Sequence, residues 1–306
     1  MLTKVKSFSA PLRVYWHLAP AGSGGLDEAR ALDTAKELAA LRVFFITLRP
    51  VGGPRADLPA LASALKSGGV HVTVSVCDSS SVPAWELLGD VDSVDLCPED
   101  EASLSLLIDT LAQLPSKKPV SVSIVPRRGG TARMACIISA ALAAGIREFH
   151  LPNPDVVTDP GGACEYVLRE SDRAEFKAAL EGLLQPYGSE VKLSVHDLFL
   201  HGSLDLPGLG APVEYAGCQG GVAVGFIDGH GMVYPCASWP VALGDLRDAG
   251  FREIWSAPLR ASLRDAVALP PEECEGCQQA VSCKGGCRGM AFALTGRHGR
   301  DPGCGR

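Results

Sequence analysis

Residues 274–287 read CEGCQQAVSCKGGC, a Cys-x2-Cys-x5-Cys-x3-Cys run. A two-residue gap lets one tight turn present two thiolates to the same metal centre while its N–H groups stabilise the sulfur charge. Gly276, Gly285 and Gly286 suit the close backbone approach that such a turn needs. Outward from this run, Cys304 follows it. Upstream, twelve residues separate Cys218 from Gly231 and four more separate Gly231 from Cys236. Seven of the chain's 11 cysteines fall between 218 and 304, where an even spread would place about three. In a cytosolic chain such clustering points to metal before disulfides.

The same stretch has little apolar material of its own. One hairpin signal, VAVGFIDGHGMVYPC, carries turn residues Asp228-Gly229-His230-Gly231 between two alternating runs. Short helices are expected near Asp248–Trp255 and Leu259–Val267, followed by a Cys/Gly-rich tail. A segment of this kind cannot build a core alone, and sulfur-bound metal is the available staple.

Residues 14 to about 200 have a different rhythm. Strand candidates VYWHL at 14, VFFITL at 43, VHVTVSV at 70, SVDL at 93, VSVSIV at 120, EFHLP at 148 and VKLSV at 191 alternate with Ala/Leu-rich segments. The helices are expected to begin near Leu26, Leu58, Val82, Ala102, Thr131 and Arg173, with Asp57 as a cap and Gly68-Gly69 as a stop. Repeated βα units imply a parallel sheet, open or rolled into a partial or full barrel, with sites at the C-terminal strand ends. Residues 202–217, GSLDLPGLGAPVEYAG, break the pattern and read as a linker. The expected organisation is an α/β barrel-like domain over 1–205 and a cysteine-rich domain over 206–306.

The whole cysteine pattern, with GHGMVYPCASWPVALGDLRDAGFREIWSAPLR around it, resembles the SPASM domain of radical SAM enzymes, and all seven cysteine positions match. The resemblance covers roughly the last 90 residues. It implies two auxiliary [4Fe-4S] clusters with interleaved ligands. Cys274, Cys277, Cys283 and Cys304 would hold the second cluster, and Cys218, Cys236 and Cys287 the first. The first is one thiolate short, because residues 219–235 contain no cysteine. Its open iron is left to His230, a side chain from the other domain, a substrate or a partner, or the site holds a smaller cluster. Structural zinc is the alternative, since four-cysteine sets bind it equally well.

The resemblance also implies a radical-SAM-like partial (β/α) barrel in front, and here the family's landmarks are missing. The strand PLRVYWHL is present, yet APAGSGGLDEARALDTAKELAAL after it lacks the three-cysteine loop that holds the SAM-cleaving cluster. The first cysteine in the chain is Cys77. The Gly-Gly-Glu-Pro segment that contacts SAM is reduced to Gly52, Gly53 and Pro54 without its acidic residue. Ala237 stands where sulfatase-maturating relatives carry a proton-accepting Asp. No SAM binding and no deoxyadenosyl radical chemistry are therefore expected.

Other candidates are weaker. Cys77, Cys97, Cys136 and Cys164 lie in or beside apolar runs and read as small core residues, Cys164 being best placed to supply a missing ligand. His17 sits at a strand end and reads as a satisfied polar residue. Gly129-Gly130-Thr131 beside Arg127 and Arg128 reads as a solvated turn, although a helix start can seat an anion. His196, Asp197 and His201 form a polar group with no nucleophile. With 28 Lys+Arg against 35 Asp+Glu, the net charge of −7 gives no attraction for nucleic acid. With no signal peptide or membrane-spanning run, the expectation is cytoplasmic. The function expected is an iron–sulfur partner of a catalytic radical SAM protein in peptide or protein modification. It would transfer electrons, present a peptide substrate, or act as a scaffold. The alternatives are a stand-alone enzyme using the undercoordinated cluster and a zinc-stapled binding module.

Overall fold

The structure is a computed structural model and describes residues 8–20, 22–78, 89–112, 118–209 and 217–305. Each of the seven apolar runs forms a strand: β1 (Arg13–Leu18), β2 (Phe45–Pro50), β3 (His71–Val76), β4 (Ser93–Leu96), β5 (Val120–Ser123), β6 (Glu148–Leu151) and β7 (Lys192–Val195). They pair in chain order, all parallel. Helices α1 (Glu28–Ala40), α2 (Leu58–Ser67), α3 (Glu101–Leu111), α4 (Thr131–Ala143) and α5 (Glu170–Leu184) provide the crossovers. The helix expected near Val82 lies outside the described residues. Asp57 does not cap α2 as the sequence suggests, because Arg55 occupies its carboxylate through Nε and Nη2 at 2.7 and 2.8 Å.

The period-2 alternation of the strands sorts the sheet into two faces. Val14, Trp16, Leu18, Ile46, Leu48, Val72, Val74 and Val76 are buried with the helices in one core. The other face is polar, with His17 opposite Arg49, Ser75 opposite Asp95, and Asp95 opposite Ser121. Asp95 Oδ1 accepts hydrogen bonds from Ser121 Oγ at 2.7 Å and Ser123 Oγ at 2.9 Å.

A short α6 (Leu198–His201) follows β7. The expected hairpin is β8 (Val224–Ile227) and β9 (Met232–Tyr234), extended by β10 (Gly244–Asp245). It does not stand apart. β8 adds in parallel to the free edge of β1, from Arg13↔Val224 to Trp16↔Ile227. Among the described residues one ten-stranded sheet results, in the order β10-β9-β8-β1-β2-β3-β4-β5-β6-β7, with no pairing between β10 and β7. The main core likewise crosses the boundary expected near 205, with Trp239, Phe251, Ile254 and Trp255 joining Val14 and Trp16.

α7 (Phe251–Ser256) and α8 (Pro258–Ala266) lie near the two expected short helices, and α9 (Ala280–Cys283) and α10 (Arg288–Thr295) complete the fold. Glu37 of α1 caps α7 from outside, accepting from the N–H groups of Phe251 at 2.8 Å and Arg252 at 3.0 Å. Among the described residues, no helix is long and apolar enough to cross a membrane.

Candidate metal centres

The turn after β9 brings Cys236 to the base of the hairpin, beside Cys218. The N–H groups of Ser238 and Trp239 point at the Cys236 sulfur, and Cys218 and Cys236 lie in each other's field. Burial first, then the Cys218 sulfur, pushes the Cys236 thiol up to about 12. Cys287, at the start of α10, lies in the field of both sulfurs. Burial, then the Asp301 carboxylate, pushes its thiol well up. Asn153 Nδ2 donates to Cys287 Sγ at 3.2 Å, and the Met290 N–H is aimed at the same sulfur. Arg264 of α8 fixes the first cysteine's loop by donating to the Cys218 and Gly220 carbonyls, both at 2.9 Å.

Cys274, Cys277, Cys283 and Cys304 form a second group. The Cys274 thiol is pushed up by burial and by the sulfurs of Cys283, Cys304 and Cys277. Cys283 receives the N–H groups of Gly285 and Gly286. Gly286 has φ +68°, and a Cβ there would lie 2.5 Å from Asp301, so only glycine allows this approach. Asp301 ties the two groups together: it accepts from the Cys287 N–H at 2.7 Å and the Gly303 N–H at 2.7 Å. Burial pushes this carboxyl up to about 6.

Among the described residues, no three His, Cys, Asp or Glu side chains converge as a single metal ion requires. The fit to an iron–sulfur group rests on donor chemistry. These sulfurs are gathered in two groups, partly buried, and met by backbone N–H donors, which favour bound thiolate and tune clusters. His230, a candidate fourth ligand for the first cluster, sits at the tip of the β8–β9 hairpin. Asp228 Oδ1 accepts from the N–H groups of His230 and Met232 and closes the hairpin tip. This turns His230 Nδ1 to the Gly24 carbonyl, 3.3 Å away, at the end of the hairpin opposite Cys236.

Asn153 and Asp301 escaped the sequence reading. Asn153 belongs to the loop after β6, which docks on the Cys236 turn. Val156 and Val157 both donate to the Ala237 carbonyl at 3.0 Å, and Ser238 Oγ donates to the Pro154 carbonyl at 2.7 Å. A small cleft lies beside this joint, lined by Asn153, Tyr166, His196, Asp197, Cys287 and Asp301.

The start of the loop after β1 is tied down by Arg55. Buried Arg55 donates to the Ala19 carbonyl at 2.8 Å while held by Asp57, and Gly53 packs against Pro20. Cys77, Cys97, Cys136 and Cys164 also depart from expectation, since none is buried. The first two stand at the strand ends beside Arg49, where strand twist and register place polar groups.

Residues 218–278 match the SPASM family, an iron–sulfur cluster-binding domain. The AdoMet-dependent heme synthase of Methanosarcina barkeri is 41% identical over 85 residues, 26% of this chain and 23% of that protein. That of Oleidesulfovibrio alaskensis is 37% identical over 86 residues, 27% of this chain and 21% of that protein. The matches thus span under a quarter of these curated relatives. Streptococcus suis SuiB superposes with a TM-score of 0.70 at 13% identity, covering 97% of this chain and 78% of SuiB. The anSMEcpe structure with bound AdoMet and the Cp18Cys peptide gives 0.62 at 14%, covering 96% and 94%. The chain has the fold of the radical SAM enzymes. Residues 218–278 carry a SPASM domain.

Proposed function

We propose that this chain is an auxiliary iron–sulfur protein that does not cleave SAM and serves a catalytic radical SAM protein as electron-transfer, substrate-presenting or scaffold partner. One observation carries this reading: residues 19–27, after β1, contain no cysteine, and Arg55 clamps the start of this loop at Ala19. An iron there would have no thiolate cradle in which to meet SAM. The AdoMet chemistry named for the heme synthases is therefore not transferred, while their shared cluster-binding segment is.

Cys274, Cys277, Cys283 and Cys304 are the proposed ligands of one [4Fe-4S] cluster, and Cys218, Cys236 and Cys287 hold the other. When bound, such clusters supply one-electron transfer. The chain's own contribution is to bury the sulfurs, aim N–H donors at them, and place the cleft beside Cys287. A peptide segment is the substrate class proposed for the system.

The test is anaerobic. Reconstituted protein should carry about eight iron and eight sulfide per chain. With dithionite and SAM it should form no 5'-deoxyadenosine above a protein-free control. Deoxyadenosine formation would overturn the loss of SAM cleavage. Zinc without sulfide would overturn the electron-transfer role and leave a stapled binding module.

A further inference from the structure

β3 and β4 run in register to Val76↔Leu96, so the next residues, Cys77 and Cys97, stand side by side at the C-terminal end of the sheet. The Cys97 N–H donates to the Val76 carbonyl at 2.8 Å, which carries the ladder past the strand ends. Neighbouring strands lie about 4.8 Å apart, and a disulfide spans Cα separations of roughly 4.4–6.8 Å. The two thiols lie within each other's electrostatic reach. Both cysteines are half-buried.

The surroundings differ for the two thiols. Arg49 of β2 donates through Nε to Cys77 Sγ at 2.9 Å and adds a second bond through Nη2. Cys97 Sγ lies 3.1 Å from Ser75 Oγ and 3.4 Å from Asp95 Oδ2. Behind Arg49 stand His17 of β1 and Asp155 of the loop after β6. The guanidinium thus favours a thiolate at 77, while the carboxylate disfavours one at 97 and can take its proton.

We propose that Cys77 and Cys97 are a redox site separate from the SPASM cysteines, a dithiol that exchanges two electrons with a low-molecular-weight disulfide at the barrel mouth. The Cys77 thiolate attacks one sulfur of the disulfide R–S–S–R′, forming the mixed disulfide Cys77–S–S–R and releasing R′S⁻. Cys97 gives its proton to Asp95 Oδ2, and its thiolate attacks Cys77 Sγ, releasing RS⁻. After protonation of the leaving groups, two cysteine thiols are oxidised to one disulfide and R–S–S–R′ is reduced to two thiols.

The neighbouring Cys97 thiol, then the Arg49 charge, outweigh burial and hold the Cys77 thiol down at about 6, whereas the neighbouring Cys77 thiol and burial push Cys97 well up. That asymmetry is what an attacking and a resolving thiol require.

The test uses the full chain, purified without oxygen and equilibrated in mixtures of reduced and oxidised glutathione. Residues 78–96 contain no Lys or Arg, so trypsin leaves both cysteines on one peptide. In oxidised buffer that peptide should lose two hydrogens, reversibly. In Cys97→Ser, Cys77 should stop as the glutathione mixed disulfide. At pH 7, iodoacetamide should modify Cys77 at least roughly tenfold faster than the exposed Cys136 and Cys164. Arg49→Gln should abolish that advantage and Arg49→Lys should retain most of it, with far-UV circular dichroism and a thermal melt reporting that each variant folds. The proposal is overturned if no linked peptide forms in fully oxidised glutathione, if Cys97→Ser behaves as wild type, or if Cys77 is no faster than Cys136. None of these outcomes depends on what the SPASM cysteines bind.

Discussion

Asn153 donates from Nδ2 to Cys287 Sγ at 3.2 Å, a direct bond between the barrel half of the chain and a cysteine of the first group. Hydrogen bonds to cluster sulfurs raise reduction potential by stabilising the more negative, reduced form. Asn153→Leu should therefore lower the potential of one cluster, by on the order of tens of millivolts. EPR-monitored redox titration reads this. An unmoved potential in a fully loaded variant would remove Cys287 from the ligand set.

The two sulfur groups make separate claims on iron. Cys274→Ser and Cys287→Ser should each lose about half the iron and sulfide, and the double variant nearly all of it. Iron and sulfide assays after anaerobic reconstitution decide the matter. If either single variant lost all of its iron, the seven cysteines would serve one centre.

His17 gives a pH signature away from the cysteines of the SPASM segment. It is 7% exposed, 3.4 Å from Asp155, and burial, then Arg49, hold its imidazole down at about 3. Below the unfolded value of 6.5 the unfolded chain binds a proton that the folded chain does not. Stability from this group is thus fully present above 6.5 and is lost as pH falls toward 3. At pH 5.5, one unit below the unfolded value, the loss is about 1.4 kcal/mol. His17→Gln should flatten that slope relative to wild type in denaturant melts between pH 7.5 and 5.5. Parallel slopes in the two proteins would mean that His17 is protonated when folded.

The strands were legible because each is a short β-branched run, and the local pattern of a buried parallel strand is strong. The cysteine spacing was equally legible. Its glycine has a structural reason: Gly231 has φ +89°, and a Cβ there would strike Leu26 Cδ2 at 2.6 Å. What could not be read is long-range placement. Nothing local in VGFI says that β8 will add to the edge of β1. Cys77 and Cys97 are twenty residues apart and meet only because β3 and β4 are neighbours. Asp57 looks like a helix cap until Arg55, two residues away, takes its carboxylate. Asn153 and Asp301 have no motif, and only the docking of their loops gives them roles.

The Glu37 cap links barrel packing to the first cysteine. Its carboxylate satisfies the N–H groups of Phe251 and Arg252, and Gly250 before them has no side chain to do so. Phe251 stacks on Trp255 at 5.5 Å, and the Arg260 guanidinium covers Trp255 at 5.0 Å. One turn later on α8, Arg264 holds the Cys218 and Gly220 carbonyls. Removing the cap should cost about 1 kcal/mol and lower Tm by roughly 2 °C. Because the loosened helix leads to the Cys218 loop, Glu37→Ala should also lose iron to a chelator faster than Glu28→Ala, whose carboxylate lies in the first turn of α1. Thermal unfolding and chelation kinetics on the same preparations read both effects. A lower Tm with unchanged chelation would leave the cap a purely structural contact and uncouple α7 from the Cys218 site.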